Sequence, residues 1–246
     1  MNSRRRRRSA VAIVALALTT CLCAAGPAPS FGATSASVEA SFAPYRLGAR
    51  VAGTISVRFS AGAERVPAPL RAMTLRLPAG IGIELSGAAV CEPSRLRSRG
   101  TAGCSSASVL GRGGALLKVH AGSQTLPEDA AITVFRGPTR AGWPTFEILG
   151  QGETPLDERT ISTAVLQGDS APYGSKLVVS VPPIPTLAYE PNASFSSLSL
   201  TIGNAGSSGA RIDLPRSCPS SGLAIAASFG FADGSSTTAA TRLSCP

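Results

Sequence analysis

TLRLPAGIGIELSGAAVCEPSRLRSRGTAGCSSASVLGRGG, residues 74–114, joins an alternating apolar stretch, a Pro-Ala-Gly stop, two cysteines and a glycine-rich tetrad. At its start Met73, Leu75 and Leu77 oppose Thr74 and Arg76, the period of two that puts alternate side chains on opposite faces of a strand. Pro78-Ala79-Gly80 ends that ladder, because proline supplies no N–H to it. Between Cys91 and Cys104, Pro93 suits the first position of a helix and Gly100 the position just past its end, so the spacing predicts one short helix of at most two turns. Beyond Cys104 the pattern predicts strands over 106–110 and 115–120, with 111–114 (Gly-Arg-Gly-Gly) as the turn between them.

The same alternation runs outward in both directions. Residues 38–42 and 52–60 precede the quoted stretch, the second with Ile55, Val57 and Phe59 against Thr54, Ser56 and Arg58. Strands are expected at 131–135, 145–150, 159–167, 176–181 and 196–202, with Leu198, Leu200 and Ile202 turned inward. The prolines of 182–185 cannot donate to a central ladder and mark a connection, and 203–209 reads as a loop. Ala232-Asp233-Gly234 is a hairpin turn between strands at 223–231 and 237–243. The expected fold class is therefore all-β, an antiparallel β-sandwich with one short helix between cysteines, preceded by an N-terminal signal helix. One sandwich over 37–246, or two halves at 37–125 and 130–246 separated by the polar stretch 122–129, are both compatible with the pattern.

With 246 residues, 43% hydrophobic and 15% charged, the chain can bury a core; at 5% aromatic, that core must be mainly aliphatic. Residues 1–36 are expected to be a signal peptide: Arg4–Arg8, a charge-free run over 10–25, then Gly26-Pro27 and small residues. The run is shorter than the ~20 apolar residues that span a bilayer, so membrane contact is expected only through this segment if it stays uncleaved. Five of the 23 basic residues and none of the 14 acids lie in it, so the net charge of +9 falls to +4 without it. A nucleic-acid partner loses its electrostatic support at that charge.

Outside the signal the cysteines are Cys91, Cys104, Cys218 and Cys245. Four cysteines allow three connectivities. In an exported chain disulfides are favoured over metal, because no Cys-x-x-Cys pair exists and the single histidine cannot complete a zinc site with them. Nearest-neighbour pairing, Cys91 with Cys104 and Cys218 with Cys245, is the expectation. No cofactor motif and no metal-ligand spacing is present.

The order Leu77-Pro78-Ala79-Gly80, Cys91, Cys104, Ser108, Gly111-Arg112-Gly113, followed by Cys218-Pro219, Phe229 to Gly234 and a terminal Cys245, resembles an uncharacterised group of secreted actinobacterial proteins. The likeness spans most of the mature chain and departs at Cys104-Ser105, where the group has Cys-Pro. It implies export and a β fold, and carries no activity.

Catalysis has few candidates. His120 is the only histidine, so any Ser-His or Cys-His mechanism must pass through it, and no G-x-S-x-G elbow accompanies it. A strand-end histidine is ordinarily solvated surface. Glu147, Glu153, Asp157 and Glu158 could supply the carboxylate pair of a secreted enzyme acting on glycans, and Trp143 a stacking platform, but acids in turns are ordinarily solvated. Arg95, Arg97 and Arg99 crowd the loop between the first two cysteines, with forked donors suited to phosphate or carboxylate. The expected function is a non-catalytic secreted or cell-envelope module, structural or ligand-binding, with anionic envelope polymers as the partner of the arginine loop and a glycan-acting enzyme as the rival.

Overall fold

The computed structural model describes residues 34–62, 66–203 and 210–246. The signal expectation falls outside them except at its end, where Ser35 and Ala36 already belong to the first strand, and the expected loop at 203–209 lies outside beyond Gly203. Among the described residues thirteen strands dominate: β1 (Ser35–Ala43), β2 (Arg50–Ser60), β3 (Leu70–Pro78), β4 (Gly82–Glu84), β5 (Val109–Ala121), β6 (Gln124–Arg136), β7 (Thr145–Gly152), β8 (Arg159–Gly168), β9 (Tyr173–Ser180), β10 (Ser194–Ile202), β11 (Arg211–Asp213), β12 (Leu223–Phe231) and β13 (Ser236–Leu243). One α-helix, α1 (Pro93–Arg99), sits between the first two cysteines. The all-β antiparallel class and the short helix between Cys91 and Cys104 are as the sequence predicts.

All the ladders are antiparallel and join into a single sheet of order β13-β12-β3-β9-β8-β7-β6-β5-β10-β2-β11-β4, with β1 on β2. The sheet curls so that its inner faces pack on each other. On one side Val38 of β1 and Val57 and Phe59 of β2 meet Leu75 of β3 and Ile225, Ala227 and Phe229 of β12 in one cluster. The rings of Phe59 and Phe229 meet edge to face at 4.9 Å, an arrangement that adds to their area burial. A second cluster packs Leu110, Val134, Phe146, Ala164 and Val179, and a third Leu117, Val119 and Ile132. Each large aliphatic or aromatic side chain taken out of water contributes about 1.5–3 kcal/mol. The ends of the sheet return to each other, β1 lying beside β13. The Tyr45 hydroxyl donates to the Ser244 carbonyl, and the Cys218–Cys245 disulfide pins the last strand.

Strands from 37–125 and from 130–246 interleave throughout. β2 pairs with β10, and β3 lies between β12 and β9. The polar stretch 122–129 is mostly strand: β6 starts at Gln124 and pairs with β5 as far as Gln124 opposite Ala121.

The glycine tetrad corrects the local reading. Residues 106–108 form a 3-10 turn instead of a strand, and Gly111, Gly113 and Gly114 lie inside β5 instead of forming a turn. The reason is the approach of β10. A methyl on Gly113 would lie 2.0 Å from the Ser199 carbonyl oxygen, and one on Gly111 2.3 Å from that of Thr201. Glycine inside a strand marks such a close approach as readily as a bend.

Candidate functional site

Cys91 and Cys104 are joined, with Cα atoms 5.6 Å apart, and so are Cys218 and Cys245 at 5.9 Å. The first bridge closes the segment that carries α1, and Pro93 takes the helix N-terminus as its fixed φ favours. Leu96 and Cys91 bury against Phe135 and Leu149, on the outer face of β6 and β7. The Cys91 N–H donates to the Arg136 carbonyl at 2.8 Å, tying the start of this segment to the end of β6. α1 is thus a patch clamped over the sheet, and its apolar side fixes which residues face out.

Those outward residues are Arg95, Arg97 and Arg99, all exposed. None of them forms an ion pair among the described residues. Two further guanidinium groups join them. Arg159, at the start of β8, lies against Gly100, where an added Cβ would meet its Cζ at 3.6 Å. Arg140, half-exposed on the β6–β7 hairpin, pairs with Glu147 at 3.3 Å. Sequence reasoning missed Arg140 and Arg159, because only the pairing of β6, β7 and β8 brings them to the helix.

Glu147 is fully buried beneath this patch. Its Oε2 accepts from the Thr163 hydroxyl at 2.8 Å, and its Oε1 from Arg140. Burial holds its pKa above the usual 4.5, with Thr163, Arg140 and Arg97 opposing that rise and Glu92 reinforcing it.

The other residues weighed as catalytic candidates are scattered. Glu153 and Asp157 are exposed on the β7–β8 connection, and Glu158, at its end, is half-buried among the residues that line the interior cavity. Glu147 is on the outer face under α1. His120 lies at the end of β5 opposite Thr125, and its Nε2 is buried without a hydrogen-bond partner among the described residues. Trp143 is 43% exposed and closes the tight β6–β7 hairpin, where Arg140 and Trp143 exchange both backbone hydrogen bonds across Ala141 and Gly142, each with positive φ. Among the described residues, Glu147, Glu158, His120 and Trp143 are therefore not gathered in one pocket. Among the described residues no group of three or more His, Cys, Asp or Glu side chains is placed to hold a metal ion.

One acid was missed. Glu128, in β6, is buried, and its two oxygens accept the N–H groups of Glu153 at 2.9 Å and Leu156 at 3.0 Å. It clamps the β7–β8 connection to the sheet. The signal lay in its phase: Leu126, Glu128, Ala130 and Ile132 alternate, so the acid falls on the inward face with its apolar neighbours.

No protein-family model, no curated protein and no solved structure matches the chain.

Proposed function

We propose that the chain is a non-catalytic extracytoplasmic module of the cell envelope, and that the face built by α1 contacts anionic polymers. The observation that carries this is the convergence of Arg95, Arg97 and Arg99 with Arg159 and Arg140 on one disulfide-held patch. Guanidinium groups offer planar, paired donors to carboxylate and phosphate, and a rigid mount lowers the entropy lost when they bind. Two disulfides fit an oxidising compartment, and the Arg-rich start followed by a charge-free run fits export. The resemblance to secreted actinobacterial proteins points the same way. The dispersal of Glu147, Glu153, Asp157 and Glu158 weighs against the glycan-acting enzyme, whose chemistry needs two facing carboxylates.

Chromatography on immobilised poly(glycerol phosphate) and polyuronate tests the reading. The mature protein should be retained at low ionic strength and released by roughly 0.2–0.5 M salt, as expected for exposed charges screened within a Debye length. The triple variant Arg95→Gln, Arg97→Gln, Arg99→Gln should pass unretained while melting within about 0.5 kcal/mol of the parent. Equal retention of parent and variant refutes this face. Turnover of a glycoside panel that is lost in Glu158→Gln refutes the non-catalytic assignment.

A further inference from the structure

We infer that the interior of the sandwich is a second binding site, which takes the short alkyl chain of a cationic amphiphile with Glu158 as the partner of its ammonium head. The inner faces of the sheet do not fill the space between them. A cavity of about 80 Å³ remains, walled by Ile132, Ile148, Gly150, Val179, Phe195 and Leu198. Close-packed interiors leave few voids larger than a water molecule, so a space of this size along an apolar wall is unusual. It is smaller than the roughly 150 Å³ that accommodates benzene, which favours a narrow methylene chain over a ring.

The polar groups at its edge set the head group. They belong to Glu128, Glu158, Thr160 and Ser162, with no Lys, Arg or His among the lining residues. The Glu128 carboxylate is already occupied by the backbone N–H groups of Glu153 and Leu156. That bond also holds Leu156 and Glu158 in place as part of the cavity wall. Glu158 is half-buried and forms no ion pair among the described residues. A carboxylate beside an apolar wall favours a cation that can reach it, and Glu153 and Asp157 on the same connection add negative charge that repels an anionic head. The site lies inside the sandwich, away from the arginine face, and neither reading depends on the other.

Calorimetric titration of the mature protein with hexylamine, hexanol and hexanoate tests the inference. Hexylamine should bind about tenfold more tightly than hexanol, the size expected of one partly desolvated charge pair, and hexanoate should not bind measurably. Glu158→Gln should bring hexylamine to the level of hexanol. Gly150→Val should abolish binding of both hexylamine and hexanol. A Cβ there would meet Ile132 Cδ1 at an ordinary 3.5 Å, so the side chain can enter the cavity without a backbone clash. If that variant fails to fold, Ala130→Leu fills the same space from β6. Absence of binding by the parent makes the cavity a packing void and overturns the inference. Equal binding of amine and alcohol, an unchanged Glu158→Gln, or binding retained in a folded cavity-filled variant overturns it as well.

Discussion

At the scale of single residues, Glu147 couples stability to pH through its burial. Because burial raises its pKa in the folded protein, the folded state holds the proton more tightly than the unfolded chain does. Its contribution is therefore fully present below about the usual 4.5 and is lost as pH rises through the raised folded value. Glu147→Gln keeps an acceptor for the Thr163 hydroxyl and removes the titration. Urea unfolding at pH 4.5, 5.5, 6.5 and 7.5 should show the parent losing stability relative to this variant as pH rises. A constant difference would mean that the Arg140 and Arg97 charges fully offset the burial. Neighbouring glycines of β5 offer a second, steric case. Gly113→Ala drives a methyl into the Ser199 carbonyl at 2.0 Å, whereas at Gly114 the nearest atom to such a methyl is 3.7 Å away. The first substitution should cost about 3 kcal/mol or more as overpacking, the second less than ~1 kcal/mol, both read from denaturant midpoints.

At the scale of elements, the same segment shows what the sequence makes legible. β12 was readable because one face is buried and the other is not, and in β2 and β10 apolar residues alternate with Ser, Thr and Arg, so a period of two survives in the residue types. Gly111–Gly114 was misread because the local signal of a glycine is the same for a bend and for a neighbouring backbone, and only the β5–β10 register distinguishes them. β4 and β11, three residues each, are too short to carry a period. In the arginine patch, Arg95, Arg97 and Arg99 were legible because one covalent loop holds them, while Arg140 and Arg159 lie outside that loop, on the β6–β7 hairpin and at the start of β8. The disulfide beneath α1 separates mounting from stability. By loop entropy, replacing Cys91 and Cys104 with serine should cost ~3 kcal/mol, and replacing Cys218 and Cys245 ~3.6 kcal/mol. Only the first replacement frees the arginines from their fixed mount, so only it should weaken retention on polyanions under conditions where both variants stay folded.

At the scale of the whole molecule, the order of the sheet decides whether the chain can be divided. Residues 37–125 contain β2 without its partner β10, β3 without either β9 or β12, and β5 without β6 or β10. The cluster around Phe59 would also lose Ile225, Ala227, Phe229 and Phe231, leaving Val57, Phe59 and Leu75 facing water. Residues 130–246 fare no better, since β10 loses both neighbours and β12 keeps only β13. An open strand edge with an apolar face favours aggregation over a folded half. Expressed separately, each fragment should therefore give a narrow amide proton spectrum or precipitate, whereas 37–246 should give a dispersed one and a single unfolding transition. A dispersed spectrum from 37–125 alone would show that the non-local pairings of β2, β3 and β5 are dispensable, and that the sheet is assembled from two units able to fold independently.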